Sequence, residues 1–141
     1  MIYITTAASC GVFLMIGKSE EKPYELRFEH RPAYLYVSLR GEANNYEIAK
    51  RYWGEIIRMH NMREYTRVLI EKQISRSLDT QDVFRIVTEV AFMARTGTKF
   101  AFFAQHFDAE KSEFAELVAN NRGLNLKYFT SLPSAERWLA D

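Results

Sequence analysis

The sequence contains one cysteine, Cys10, so no disulfide can close within the chain and the usage fits a reducing, cytoplasmic setting. It has almost no net charge: 19 basic and 18 acidic side chains leave a formal +1. No broad field draws in nucleic acid or an anionic membrane, and Lys50, Arg51, Arg58, Arg63 and Arg67 are interleaved with acids rather than massed. Three prolines and six glycines are few, and no linker, repeat or low-complexity tract occurs, so one domain is expected. Long apolar runs are missing as well. The stretch "MIYITTAASCGVFLMIG" is shorter than the ~20 residues that cross a bilayer as a helix. No Lys or Arg precedes Lys18, as an export signal requires. We expect no membrane span. Residues 1–21 are read as a tail, with Met15 as an alternative start, ahead of a domain covering 22–141.

Catalytic equipment is scarce too. His30, His60 and His106 are scattered, and no Cys/His spacing of metal-site type exists. There is no phosphate-binding glycine loop, dinucleotide fingerprint or nucleophile elbow; "RTGTK" has a single glycine and follows a helix-like segment. His106 and Asp108 follow a strand, where open α/β sheets often bind ligands, but no nucleophile accompanies them. Glu71 closes the strand "VLIE" without a second acid close in sequence. We expect no catalytic residue, no cofactor and no metal, hence no enzyme.

What is present is pattern. Apolar residues make up 48% of the chain and aromatics 14%. "YELRFEH" alternates Tyr24, Leu26 and Phe28 against charges, the period of a half-buried strand. Arg31 and Pro32 interrupt it, and "AYLYVSLRG" makes the second arm of an antiparallel hairpin. "NNYEIAKRYWGEIIRMHN" places Tyr46, Ala49, Trp53, Ile56, Ile57 and His60 on one helical face, with Asn44 or Asn45 as cap and Ile48, Tyr52 and Met59 as a second stripe. The short runs "VLI" and "KFAFFA" read as strands buried on both faces of a parallel sheet. Between them Val83, Val87, Val90 and Ala94 share a helical face that Gly97 closes. A helix follows with a stripe of Phe114, Leu117 and Val118, stopped by Gly123. "LNLKYFT" is a last strand, and a closing helix buries Ala135, Trp138 and Leu139. The order is ββαβαβαβα: an α/β fold with a mostly parallel five-stranded sheet and an antiparallel edge strand.

That order, with "YELRFEHRPAYLYVSLRGE", "RVLIE" and the ending "NLKYFTSLPSAERWLA", resembles the SpoIIAA-like proteins, relatives of the STAS (sulfate transporter and anti-sigma antagonist) domains, over residues 22–141. The resemblance implies a bacterial, cytoplasmic regulator that acts by binding protein, either a partner or itself. It also implies a phosphoacceptor serine before a glycine, at the loop entering the second long helix. Here those positions read Asp79, Thr80, Gln81 and Asp82, so the serine–glycine pair is absent. Ser75, Ser77 and Thr80 remain as hydroxyls of a candidate regulatory loop with Asp79. Capping explains the same residues more cheaply: Asp79 or Thr80 starts the helix, and Asp82 in its first turn suits the macrodipole.

Phe92 falls in the polar face of that helix beside Arg85 and Glu89, marking a candidate interface. The alternative function is binding of a small apolar or lipid-like ligand, in a cavity under the helix lined by Phe84, Phe100 and Phe102.

Overall fold

The computed structural model describes residues 2–6, 12–16, 22–76 and 78–141. Cys10 and Ser77 lie outside the described residues. The domain core is a five-stranded sheet: β3 (Tyr24–His30), β4 (Leu35–Gly41), β5 (Arg67–Ile74), β6 (Lys99–Phe103) and β7 (Asn125–Phe129), side by side in that order. The first pair is antiparallel and the other three are parallel. Ahead of them β1 (Ile2–Thr6) and β2 (Val12–Ile16) form a separate antiparallel hairpin within the stretch expected as a tail.

Strand order follows chain order, so each right-handed crossover steps the same way and drops its helix on the same face. The helices α1 (Tyr46–Arg63), α2 (Thr80–Met93) and α3 (Ala109–Asn121) share one face with Leu26, Phe28, Val37, Ile70, Phe100 and Phe102. The closing helix α4 (Leu132–Ala140) covers the other, packing Ala135 and Leu139 on Leu69 and Ala101. Val68, Leu69 and Ile70 are thus covered from both sides, as the unbroken apolar run requires.

Local chemistry starts and stops the elements. The hairpin turns where the Arg31 N–H donates to the Tyr34 carbonyl at 3.1 Å. Asn45 caps α1 by accepting from the Ile48 N–H at 2.9 Å, and Ser131 caps α4 through Ser134 at 3.3 Å. Gly123 takes φ +82° just past α3, a conformation that a Cβ disfavours.

Two details depart from the sequence reading. The strand β5 runs on to Ile74, so Glu71 is not its end; the carboxylate instead accepts the Tyr36 hydroxyl across the ladder. The stripe of α3 is set by small residues, Ser112, Ala115 and Ala119 with Val118, leaving Leu117 59% exposed. On the second stripe of α1, which the sequence left open between interface and internal packing, Tyr52 and Met59 are buried within the chain.

Candidate functional site

The junction between β5 and α2 is a helix cap. Asp79 is extended (φ −77°, ψ 169°), its carboxylate accepts the Asp82 N–H at 2.9 Å, and its carbonyl accepts the Val83 N–H at 2.9 Å. Thr80 is the first residue of α2 and is exposed, as is Ser75, whose N–H donates to the Gly41 carbonyl at 3.2 Å. A side-chain oxygen at this position satisfies a donor the helix cannot reach. Asp79→Ala is therefore expected to cost about 1 kcal/mol in urea unfolding. A loss below about 0.3 kcal/mol would show that water serves the helix end as well.

The exposed side of α2 separates into two kinds of residue. Arg85 and Glu89 turn back to α1, where the guanidinium lies 3.6 Å from the Tyr46 ring centre and the Tyr46 hydroxyl donates to Glu89 at 2.6 Å. They join two helices of the same chain, which could not be read from their spacing on α2. Phe92 makes no such contact and is 90% exposed. Met93, at the end of α2, and Met62, at the end of α1, are exposed at the same end of the molecule. That end is tied together by the Arg95 N–H, which donates to His60 Nε2 at 3.4 Å.

Beneath α2 the interior is nearly filled. The cavity between helix and sheet measures about 40 Å³, with Tyr52, Trp53, Val87, Phe102 and Tyr128 in its walls. That volume suits about one water molecule, whose share of the liquid is about 30 Å³. Phe100 is buried in the core and does not line it, while Phe84 is 42% exposed beneath the Arg122 guanidinium. The three phenylalanines do not frame one pocket.

His60 is a core histidine with no exposed surface, its Nε2 also 3.3 Å from the Thr98 hydroxyl. Burial, reinforced by the charge of Arg95, holds its pKa below the ordinary value, although the Tyr65 backbone pulls the other way. His30 lies against Tyr65 in a stacked ring pair, hydrogen-bonded through Nδ1. His106 sits exposed in the loop after β6, and Asp108 is spent on capping α3, accepting the Lys111 N–H at 3.0 Å. Among the described residues no group of three His, Cys, Asp or Glu could hold a metal ion. None of the described helices is long and apolar enough to cross a membrane.

Sheet order, three helices on one face and a fourth on the other define a SpoIIAA-like fold. The chain superimposes on an anti-sigma factor antagonist from Mycobacterium paratuberculosis with a TM-score of 0.58 and 14% identity, over 88% of this chain and 100% of that one. It is similar to the protein TM1081 (TM-score 0.50, 15% identity, 89% of this chain and 94% of that one). It is likewise similar to an uncharacterised DUF3478-family protein of SpoIIAA-like fold from Shewanella loihica (TM-score 0.50, 16% identity, 87% of this chain and 98% of that one). No protein-family model and no curated protein sequence matches the chain.

Proposed function

We propose that this chain is a non-catalytic regulatory domain that works in the cytoplasm by binding protein, another chain or a copy of itself, through the end of α2 that carries Phe92. The observation that carries the reading is the 90% exposure of Phe92, a large aromatic left in water with no ring contact among the described residues. Aromatic side chains are enriched among residues that anchor interfaces. The likeness to an anti-sigma factor antagonist over its full length supports the same class of role. We take residues 22–141 as the working unit.

The reading contains no phosphoserine step. A phosphate at the start of α2 would compete with the Asp79 carboxylate already on the Asp82 N–H and would lie beside the Asp82 side chain. The small cavity under α2, about 40 Å³, favours the protein-binding reading over a lipid-like ligand at that place.

Native mass spectrometry of the wild type beside Phe92→Asp tests the proposal. We expect the wild type to carry a second protein chain, and the variant to lose it with an unchanged circular dichroism spectrum. A wild type that is monomeric, with or without a bound small molecule, would overturn it.

A further inference from the structure

Three features lie outside the reading above: a shallow groove at the edge formed by β3 and β4, the unpaired outer edge of β7, and a cleft at the carboxyl ends of β5 and β6. The cleft is the one with chemistry in it. It has two lobes, of about 370 and 310 Å³, that share Lys72, Ser75 and His106 in their walls; Arg76 adds to the second. Each lobe reaches the lower range of small-molecule sites.

Lys72 is the unusual member. Side chains alternate along β5, so Lys72 shares a face with Val68 and Ile70, the face that the helices cover. Its side chain also lines the small cavity under α2. Among the described residues no carboxylate lies within ion-pair distance of its ammonium. Two acids also line the lobes, Glu71 the first and Asp108 the second; Glu71 accepts from the Tyr36 hydroxyl, and Asp108 accepts from the Lys111 N–H. Burial, with the like charge of Lys111, lowers the Lys72 pKa. Lys72 is half-buried, and a lysine drawn back from the surface is ordinarily paired. This one stands beside a hydroxyl, an imidazole and a guanidinium that can all donate hydrogen bonds, and it lacks only an anion.

We propose that the cleft binds a small phosphate-bearing anion, held by Lys72 with Ser75, His106 and Arg76. The tetrahedral oxyanion suits the wall because it offers several acceptor oxygens to donors arriving from two strand ends and the loop between β5 and α2, where a carboxylate offers two. The positive character comes from side chains alone, since the N-termini of α2 and α3 are already capped by Asp79 and Asp108. Phe92 lies twelve residues further along α2, about 18 Å away at 1.5 Å per residue. The two sites therefore sit at opposite ends of one helix, and the anion site stands or falls separately from the protein-binding reading.

The test is an amide-resolved NMR titration of the full chain with inorganic phosphate and with ribose 5-phosphate, against a constant chloride background. We expect saturable shifts at Lys72, Ser75 and His106 with a Kd of about 1 mM or tighter for at least one probe. Lys72→Met should weaken binding at least tenfold, and the exposed Arg76→Gln severalfold. Tighter binding of ribose 5-phosphate would make the occupant an organic phosphate; equal binding would make it free phosphate. Shifts that grow linearly without saturating, or wild-type affinity in Lys72→Met, would overturn the site. Should Lys72→Met fail to fold, wild-type affinity in Arg76→Gln decides against it.

Discussion

Phe100→Ala is expected to remove about 3–5 kcal/mol from the folding free energy, among the larger losses a single truncation can cause. Phe100 has no exposed surface and sits on β6, with neighbours Val68 on β5 and Leu126 on β7. Its ring meets Trp53 edge-on at 5.8 Å and His60 at 5.6 Å, so it joins the sheet to α1 at two aromatic contacts. Truncation removes the ring's transfer free energy and leaves a cavity whose walls, a strand ladder and a packed helix, cannot close over it. Domains of this size hold about 5–15 kcal/mol in total. The variant should therefore unfold at much lower urea, with a displaced Trp53 emission. Phe84→Ala is the control: its ring is 42% exposed beneath Arg122 and should cost less than about 1 kcal/mol. A loss below about 1.5 kcal/mol for Phe100→Ala would mean that the core relaxes around the gap and that the contacts of β6 with α1 are not its keystone.

Phe100 also shows why the fold could be read from the sequence and the sites only in part. An apolar run between polar flanks has one stable place in an α/β protein, the middle of a parallel sheet, and both "VLI" and "KFAFFA" found it. Caps were equally legible, because Asn45, Asp79 and Asp108 act on backbone within three residues of themselves. The failures arose where distant partners decide. Arg85 and Glu89 both meet Tyr46 on another helix, a contact their spacing on α2 does not announce, while Arg85 stays exposed. The stripe of α3 was misplaced because Ala115 and Ala119 bury by being small enough for close helix approach, which hydrophobicity does not score. The extension of β5 was hidden by its polar residues, although counting in twos from Ile70 puts Lys72 on the covered face. That count was the one available signal for the cleft. Nothing in the apolar run of residues 1–21 marked strands there, since it lacks the alternation a hairpin usually shows.

Stability should be highest between about pH 6.5 and 10 and fall on both sides, most steeply on the alkaline side. Four tyrosine hydroxyls are hydrogen-bonded to glutamates: Tyr24 to Glu55, Tyr34 to Glu136, Tyr36 to Glu71 and Tyr46 to Glu89. A carboxylate beside a phenol disfavours the phenolate. For Tyr24, Tyr34 and Tyr36, burial raises the pKa first and the glutamate adds to it. Burial pushes Tyr52 up to about 12, with the neighbouring Asn44 side chain acting in the opposite direction. Below pH 10 these groups are protonated in both folded and unfolded chains, so their contribution is fully present. Above it the unfolded chain loses protons that the native state keeps, and stability drops with each step in pH. For Tyr52 that rise corresponds to roughly 2–3 kcal/mol, a large fraction of a domain's total. On the acid side His60 acts in the opposite sense. Its folded pKa is depressed, so below about 6.5 the unfolded chain takes up a proton that the native state resists, and stability falls as pH falls. Far-UV circular dichroism and tyrosinate absorbance followed together above pH 10 decide the matter. We expect the buried tyrosines to ionise in one cooperative step that coincides with loss of helix. Tyrosines that titrate independently near their ordinary value, with the helix signal intact, would mean that the phenol–carboxylate pairs are too open to water to hold their protons.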